Sequence, residues 1–382
     1  MATSVPSAVP KISVVIPARN EEANLERCLR SLVVQRGIPF EILVVDDGST
    51  DRTRQIAESF TRVRQCPFIG ANADLLDVHV LDAPPLPEGW SGKVNALVAG
   101  EKAAQGQWIL FTDADTEHLE DSLAAAVAEA GAHNADLLSY SPEQLLTGIR
   151  QQLLMPLIFG ELAFQYSPRR VSDPAMPDAA ANGQYILVRA AAHRKLGGFA
   201  AVSGELLEDV ALARRYKSAG RRIYFRLGRG RVRTRMYSTW EALRAGWTKN
   251  LALLFPATRP LAQKRIVEFL RLIGSLLFSL FWTALAVVRG VGSIDFLMGF
   301  ALAMLWLYTA SNFALFYLRV SRAHFPFLVS VLSLFGLPWF AGLLRQSAAA
   351  HEQGTVEWRG RVYATDAEGN HGANSSGAAS NS

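Results

Sequence analysis

The segment WILFTDADTE, residues 108–117, places four bulky apolar side chains directly before two aspartates, Asp113 and Asp115. A short apolar run that ends in polar residues is typical of a buried β-strand whose last side chains leave the core. The segment EILVVDDGSTD, residues 41–51, repeats this pattern with an adjacent pair of aspartates. Because parallel sheets bind ligands outside the carboxyl ends of their strands, we expect both acidic pairs to lie at one binding edge.

Short apolar runs alternate with amphipathic stretches up to about residue 235. This alternation predicts an α/β fold with a mostly parallel sheet and helices on both of its faces. The glycine-rich loops of dinucleotide oxidoreductases and of P-loop enzymes are missing from the sequence, so both classes are disfavoured. We predict strands at 12–18, 41–47, 77–83 and 108–115, and helices at 21–35, 51–60 and 93–105.

The second half of the chain differs in composition, with three long apolar runs after residue 265. Each run is long enough to cross about 30 Å of hydrocarbon at about 1.5 Å per residue of helix. One such run could be a buried helix of a soluble protein, but three in succession predict an α-helical transmembrane domain. The runs are 266–288, 296–318 and 325–344.

A fourth apolar stretch, residues 151–166, is shorter and is interrupted by Pro156 and Gly160, so we predict a helix lying in the membrane interface. Three basic residues between the second and third runs indicate a cytoplasmic loop, which would place the N-terminal domain, two crossings away, in the cytoplasm as well. Three spans would place the C-terminal tail on the side of the membrane opposite the cytoplasm. A re-entrant third run, or a crossing at 151–166, would instead return TVEWRGRVY, residues 355–363, to the cytoplasm.

The charge of the chain is modest overall, at +5, but it is unevenly distributed. Residues 214–235 contain ten Lys and Arg and no Asp or Glu, a pattern that favours contact with phosphate groups. The apolar runs supply a membrane as the phosphate-rich neighbour, so lipid head groups are expected and nucleic acid is not. The two cysteines, Cys28 and Cys66, make no metal or disulfide pattern and fit a reducing compartment.

Asp113 and Asp115 can both turn toward one hard cation once the strand has bent away. Mg²⁺ and Mn²⁺ take oxygen ligands and complete their coordination with substrate phosphates and water. Such a cation would neutralise a diphosphate and make it a better leaving group. The alternative is a helix N-cap, because TDADTEHLEDSL has the composition of a helix start.

Two further segments carry candidate charged groups. Lys93 follows a glycine-rich turn at a helix start, where it would bind phosphate, and the alternative is an exposed surface lysine. The segment GELLEDVALARRYKSAG, residues 204–220, places Glu205, Glu208 and Asp209 at the start of an amphipathic helix. A carboxylate there could take the proton of an acceptor hydroxyl that attacks a sugar carbon. The alternative is that these acids only complement the helix dipole.

Six motifs occur in order: PARNEEANL, VVDDGSTDRT, GWSGK, FTDADT, AANGQYILVRAAAHRKLGGF and ELLEDVALARRYKSAGRR. Together they resemble the family 2 glycosyltransferases with the GT-A fold, over roughly residues 11–235. The second half of the chain, with its three long apolar runs, also resembles members of this family. The phrases PPLPEGWSGK, RRVSDPAMPDAAANGQY and ELLEDVALA are most similar to the hopene-associated and carotenoid glycosyltransferase branch. The resemblance implies a Rossmann-like mixed, mostly parallel sheet.

The resemblance also implies the roles of individual residues. Asp115 would be the direct ligand of Mg²⁺ or Mn²⁺, with Asp113 beside it, and Asp209 would be the general base positioned by Glu208. The donor would be a nucleotide diphosphate sugar, expected to be a UDP-sugar. The nucleotide-sugar side would consist of Pro17, Glu21, Asp46, Asp47, Lys93 and Asp113. The acceptor side would consist of Asn182, Gly183, Gln184 and Trp247, near Gly197 and Gly198.

The implied activity is inverting transfer of one sugar to a hydroxylated lipid, such as a hopanoid or carotenoid, at the cytoplasmic face of the inner membrane. Processive polymer synthesis is disfavoured, because RAGW, residues 244–247, keeps only the tryptophan of the family's Q-x-x-R-W motif. Two alternatives stay open: a polyprenyl-phosphate glycosyltransferase, and a non-catalytic membrane protein that keeps the fold for binding.

These inferences divide the chain into six parts. We predict a disordered lead at 1–10, a GT-A domain at 11–235 that includes an interfacial helix near 149–166, interfacial helices at 236–264, transmembrane helices at 265–345, a basic C-terminal segment at 346–363 and a disordered tail at 364–382.

Overall fold

The computed structural model describes residues 11–61, 77–237, 239–255, 257–290, 295–358 and 361–364. The predicted lead, Cys66 and nearly all of the predicted tail lie outside these ranges. The chain forms two compact units. The first comprises Met1–Leu145, Pro168–Ser238 and Gly354–Ser382, and the second comprises Leu146–Ser167 and Thr239–Gln353.

A seven-stranded sheet forms the centre of the first unit, with strand order β3-β2-β1-β4-β8-β6-β9. Its pairings are parallel except for those of β8, which runs antiparallel to both β4 and β6. The structure thus has the mixed, mostly parallel sheet that the sequence predicts. The strands are β1 (Ile12–Ala18), β2 (Phe40–Asp46), β3 (Asp77–Asp82), β4 (Trp108–Thr112), β6 (Leu137–Ser141), β8 (Tyr185–Arg189) and β9 (Ile223–Leu227).

A second sheet of three short strands, in the order β5-β10-β7, follows the end of β4. Its strands are β5 (Thr116–His118), β7 (Glu143–Gln144) and β10 (Val232–Thr234). The central strand, β10, pairs antiparallel with β5 and parallel with β7. This small sheet brings the end of the basic segment next to the turn that carries Asp113 and Asp115.

Helices of the first unit bury one apolar face against the large sheet. In α1 the side chains of Leu25, Leu29 and Leu32 recur at helical spacing and are fully buried. They pack in one hydrophobic core with alternate residues of β1, including Val14 and Ile16. The helices of this unit are α1 (Leu25–Val33), α2 (Thr53–Thr61), α3 (Gly92–Ala103), α4 (Ser122–Ala132), α6 (Pro168–Ser172), α7 (Ala190–Lys195) and α8 (Glu208–Ser218).

The four strands and three helices predicted before residue 115 are confirmed, with boundaries that differ by a few residues. The alternative reading of Asp113 and Asp115 as caps of a following helix is wrong. Strand β5 intervenes, and helix α4 begins only at Ser122. The two aspartates therefore lie in a turn between strands.

The second unit is helical. Among the described residues, three of its helical segments are long and apolar enough to cross a membrane: Thr258–Arg289, Phe296–Ala323 and Phe327–Glu352. The third changes to 3-10 geometry at Ser333–Gly336, where glycine and neighbouring proline residues permit a break. The helices are α5 (Ile149–Gln165), α9 (Trp240–Leu254), α10 (Thr258–Arg289), α11 (Phe296–Val320), α12 (Phe327–Leu332) and α13 (Leu337–Glu352).

Four charged side chains, three of them buried and one, Arg319, partly buried, connect α5, α10 and α11. Arg265 Nε lies 3.5 Å from Glu161 Oε1, and Arg319 Nη2 lies 2.7 Å from Glu268 Oε2. Arg265 also pairs with Glu268, and Arg319 pairs with Glu161. The group is neutral, and we call it the ionic quartet. Helix α5, which the sequence-based division counts with the GT-A domain, therefore belongs to the helical unit.

The basic segment 214–235 is partly engaged within the protein, and its expected contact with lipid head groups stays a prediction. Six of its ten basic side chains contact protein acceptors, four of them acidic side chains and two of them backbone carbonyl oxygens. Arg226 makes two hydrogen bonds of 2.7 Å to Glu129, for example. The other five are Arg215, Lys217, Arg221, Arg231 and Arg233.

The C-terminal part of the described chain is a two-stranded antiparallel hairpin. It consists of β11 (Thr355–Trp358) and β12 (Arg361–Ala364). The expectation of an ordered segment at 355–363 agrees with this hairpin.

Candidate active site

Lys93 connects two of the acidic segments that the sequence identifies. Ser91 caps helix α3 by accepting a hydrogen bond of 3.2 Å from the backbone N–H of Val94, which places Lys93 in the first turn. Its Nζ lies 2.9 Å from Asp113 Oδ1 and 3.0 Å from Glu208 Oε1. Lys93 is therefore not an isolated surface lysine, although its side chain is 35% exposed.

These carboxylates hold Lys93 in its charged form. Burial alone would lower the pKa of Lys93, but the negative charges of Asp113 and Glu208 outweigh it and raise the pKa well above the ordinary value. The ammonium group is thus a permanent positive charge at the edge of the sheet. A phosphate group could take the place of one of its two carboxylate partners and bind the ammonium group.

Asp115 lies in a tight turn after β4. Thr116 Oγ1 donates a hydrogen bond of 2.7 Å to the carbonyl oxygen of Asp113 and so holds the turn. Burial and the negative charges of Asp113 and Glu21 raise the pKa of Asp115. This excess of negative charge around a poorly solvated carboxylate fits a divalent cation, because the cation would supply the charge that the protein lacks.

Within the described ranges of the chain, no three His, Cys, Asp or Glu side chains are grouped so as to hold a metal ion by themselves. A cation at Asp115 and Asp113 would therefore take its other ligands from substrate and water. This donor set fits Mg²⁺ or Mn²⁺, which are commonly bound by one or two carboxylates together with substrate phosphates.

Asp209 is oriented by two backbone N–H groups. Its Oδ2 accepts a hydrogen bond of 2.8 Å from Gly183 and its Oδ1 accepts one of 2.8 Å from Val210. Burial and the neighbouring charge of Glu208 raise the pKa of Asp209. A carboxylate with a raised pKa is a stronger base once it is ionised, which suits proton abstraction.

Gly183 leaves the space in which Lys93 and Asp209 approach each other. A Cβ at this position would lie 3.1 Å from Lys93 Nζ and 3.3 Å from Asp209 Oδ2. A side chain at residue 183 would therefore contact both the candidate base and the candidate phosphate-binding cation. Any side chain here would push at least one of them away.

The nucleotide-side candidates lie at the ends of β1 and β2. In the register of these strands Pro17 is opposite Val45, and Ala18 is opposite Asp46. Asp46 Oδ1 accepts a hydrogen bond of 3.1 Å from the backbone N–H of Ser49. Asp47 Oδ2 lies 3.4 Å from Arg19 Nη1. Both aspartates thus organise the turn that leads into α2.

Glu21 lies in the loop after β1. Its Oε2 accepts a hydrogen bond of 2.9 Å from Asn24, and its charge acts on Asp115. β1 lies between β2 and β4 in the sheet. The nucleotide-side candidates therefore line the same edge of the sheet as Asp113 and Asp115.

The acceptor-side candidates separate into two groups. Asn182 Oδ1 accepts a hydrogen bond of 3.0 Å from the backbone N–H of Gln184, which folds residues 182–184 into a turn beside Asp209. Trp247 lies in α9 of the second unit, where it is buried with its ring centre 6.0 Å from that of Phe159. Its role stays a prediction.

Two features of the site are not evident from sequence. Thr234, in the basic segment, accepts a hydrogen bond of 2.9 Å from Gln184 Nε2. Glu101, in α3, accepts a hydrogen bond of 3.3 Å from the backbone N–H of Phe199 and packs against Gly198. The positive φ of 56° at Gly198 requires a residue without a side chain. In the sequence, the GGF motif at residues 197–199 was the feature that indicated this turn.

Comparison with known protein families identifies the class of the domain that carries this cluster of charged side chains. Residues 13–178 match the family model described as glycosyl transferase family 2. Residues 13–178 therefore form a family 2 glycosyltransferase domain, and the protein is an enzyme of the glycosyltransferase class. The second, helical unit lies outside the matched residues except for α5 and its flanking residues.

Among similar proteins is the 4,4'-diaponeurosporenoate glycosyltransferase of Staphylococcus aureus strain MRSA252, 26% identical over 375 residues that cover 94% of this chain and 89% of the relative. Solved structures share lower similarity. The mannosyltransferase PcManGT from Pyrobaculum calidifontis, in complex with GDP-Man and Mn²⁺, is 14% identical over 90% of this chain and 88% of its own, with a TM-score of 0.46. S. aureus TarS in complex with UDP-GlcNAc is 17% identical over 95% of this chain and 99% of its own, with a TM-score of 0.40.

Proposed function

We propose that this enzyme transfers a single sugar, with inversion, from a nucleotide diphosphate sugar to a hydroxylated lipid of the carotenoid or hopanoid type. The donor is expected to be a UDP-sugar. One observation carries the proposal: Lys93 bridges Asp113 and Glu208, so the metal-binding turn and the candidate base lie at the same edge of the sheet. A donor bound between them would have its phosphates near Lys93 and its sugar near Asp209.

The residues of the site divide the reaction between them. Asp115, with Asp113 beside it, would hold Mg²⁺ or Mn²⁺, which when bound neutralises the diphosphate leaving group. Lys93 binds a phosphate oxygen as a fixed positive charge. Asp209 takes the proton of the acceptor hydroxyl while that oxygen forms its bond to the anomeric carbon. The bond from that carbon to the diphosphate breaks, and the diphosphate leaves with the electron pair. Attack opposite the leaving group inverts the anomeric centre.

The lipid acceptor is inferred from the helical unit and from the name of the relative. Several large apolar side chains of α10 and α11 are well exposed, including Val288 at 83% and Phe296 at 83%. Apolar helices with such surfaces are stable when they are surrounded by lipid. We therefore infer that the enzyme is a multi-pass protein of the inner membrane, with its catalytic unit on the cytoplasmic side where nucleotide sugars occur.

The first test is transfer by the purified full chain in lipid nanodiscs. UDP-sugars would be supplied with Mn²⁺ and with lipids that carry a hydroxyl, a carboxylate or a phosphate group. We expect products from the hydroxylated carotenoid or triterpenoid lipids. Exclusive use of polyprenyl phosphate would refute the acceptor class, and neither transfer nor donor hydrolysis with any acceptor would refute the proposal as a whole.

Two variants test the residue roles in the same assay. Asp209→Asn should lower kcat by about 10²- to 10⁴-fold, because the base is lost, while donor binding persists. Asp115→Asn should abolish the stimulation by Mn²⁺. Asp121→Asn is the matched control, because Asp121 is exposed in the following turn and its φ of 61° is tolerated by asparagine. Wild-type turnover in Asp209→Asn would contradict the base assignment.

A further inference from the structure

Gln184 lies next to the candidate metal ligand, with its side chain directed at a carboxylate. Its Nε2 is 3.3 Å from Asp115 Oδ1 and 3.5 Å from Asp115 Oδ2. The residue is only 6% exposed. An amide oxygen facing a carboxylate would be repelled, so the amide nitrogen is the group that faces Asp115. One donor thus serves both oxygens of the carboxylate.

Thr234 holds this amide from the other side. Thr234 Oγ1 accepts a hydrogen bond of 2.9 Å from Gln184 Nε2 and itself donates one of 3.4 Å to the carbonyl oxygen of Asp115. Thr234 is 1% exposed and lies at the end of β10, opposite Thr116 of β5. The small sheet therefore closes a ring of hydrogen bonds around Asp115.

The backbone of Gln184 is also fixed at both of its polar groups. Its N–H donates a hydrogen bond of 3.0 Å to Asn182 Oδ1, and its carbonyl oxygen accepts one of 2.8 Å from Thr112 Oγ1 at the end of β4. β8 and β4 are paired in this region, with Tyr185 opposite Thr112. Gln184 thus has a fixed position relative to the strand that delivers Asp115.

We propose that Gln184, supported by Thr234, is a positioning residue that orients the Asp115 carboxylate for the divalent cation and so sets the metal affinity of the site. The proposal rests on the proposed function, in which Asp115 is the metal ligand. It differs from the acceptor-side role that the family resemblance implies for Gln184. A side chain that is 6% exposed and engaged by two partners has little surface left for an acceptor.

The physical basis is pre-organisation. A carboxylate that must be immobilised when a cation binds loses rotational freedom, and a hydrogen-bonded partner removes this cost beforehand. Loss of such outer partners typically weakens metal binding by about 10- to 100-fold. The effect should appear in the binding of metal itself, independently of catalysis.

The experiment measures Mn²⁺ binding to the full chain in detergent micelles, by electron paramagnetic resonance of free Mn²⁺, with and without saturating UDP. Gln184→Met is nearly isosteric and removes the donor, so the Kd for Mn²⁺ should rise by about tenfold. Thr234→Val should raise it less, by roughly threefold, because one supporting hydrogen bond is lost. The double variant should bind less weakly than the two single effects combined would give, since Thr234 acts on the Asp115 carboxylate through Gln184 and touches only the backbone of Asp115 directly.

Gln144→Met is the matched control. Gln144 lies on β7, directly opposite Thr234, and is 9% exposed, but its amide nitrogen donates to Pro142. The same substitution there should leave the Kd for Mn²⁺ unchanged. Should Gln184→Met fail to fold, Gln184→Asn keeps the amide on a shorter side chain and should weaken Mn²⁺ binding in the same direction.

Asp115→Asn separates failure of this inference from failure of the proposed function. If Asp115→Asn loses Mn²⁺ binding but Gln184→Met and Gln184→Asn bind it as the wild type does, the positioning role is overturned and the metal site stands. If Asp115→Asn also binds Mn²⁺ normally, the metal role of Asp115 itself is wrong. A raised KM for the lipid acceptor with an unchanged Kd for Mn²⁺ would favour the acceptor-side role instead.

Discussion

Replacing Lys93 by methionine should move the acid limb of the pH–rate profile to higher pH. Asp209 accepts a proton only when it is ionised, so activity is lost as pH falls through its pKa. The positive charge of Lys93 favours the ionised form and therefore lowers that pKa, opposing burial and Glu208, which raise it. Without Lys93 the pKa of Asp209 must rise, and the limb moves with it.

The size of the shift follows from the geometry around Gly183. Lys93 Nζ and Asp209 Oδ2 lie 3.1 Å and 3.3 Å from one point, the position of a Cβ at residue 183. The two atoms are therefore at most about 6.4 Å apart, and at that separation two unit charges interact by about 2.6 kcal/mol at an effective dielectric constant of about 20. Because Lys93 is 35% exposed, solvent screening reduces this value, and we expect a shift of about one pKa unit.

The assay is kcat/KM for transfer between about pH 5 and pH 9 at saturating Mn²⁺. The plateau should also fall, because Lys93 is expected to bind a donor phosphate. Lys102→Met is the matched control, since Lys102 lies exposed in the last turn of the same helix. A lower plateau with an unmoved acid limb would show that Lys93 serves the donor and does not act on Asp209, which would refute the electrostatic reasoning.

Three further predictions concern stability. Gly198→Ala should lower the free energy of unfolding by about 1–3 kcal/mol in denaturant titrations. Its φ of 56° is strained for alanine, and the new Cβ would clash with the Glu101 carboxylate. An unchanged denaturation midpoint would contradict the turn geometry. Glu161→Gln should cost about 3–5 kcal/mol in detergent, since the buried Arg265 and the partly buried Arg319 would share one carboxylate. A loss below about 1 kcal/mol would mean that the ionic quartet is solvated. Arg226→Met should lower the free energy of unfolding by about 1–3 kcal/mol, because its two hydrogen bonds to Glu129 are lost. Its binding to anionic vesicles should be unchanged. Weaker vesicle binding at normal stability would instead indicate that Arg226 contacts lipid head groups.

Local sequence patterns were sufficient to predict the strands and to place the acidic pairs at one edge of the sheet, whereas the roles of the site residues came from the family resemblance and stay predictions. Lys93, Asp113 and Glu208 each lie at a strand end or a helix start, and these positions meet at the same edge of an α/β sheet. These side chains therefore lie close together because of the type of element that carries each one and the direction in which each strand runs. The three helical segments that are long and apolar enough to cross a membrane were equally accessible, because composition and length alone identify them.

Other contacts depend on partners that no local pattern reveals. The hydrogen bonds around Asp115 come from Gln184, which directly precedes the antiparallel strand β8, and from Thr234 in the short strand β10, 50 residues later in the sequence. The internal partners of the basic segment were hidden for the same reason. Glu129 and Arg226 are 97 residues apart in sequence, so their pairing could not be inferred from charge counts along the chain.

The assignment of α5 to the helical unit has a practical consequence for dissecting the enzyme. Its residues interrupt the catalytic unit in sequence, so the polypeptide passes from one unit to the other more than once. A fragment truncated at residue 238 would retain α5 without α10 and α11, and Glu161 would lose both of its arginine partners. Such a truncation is expected to aggregate, whereas replacing 146–167 with a short polar linker offers a route to a water-soluble catalytic fragment.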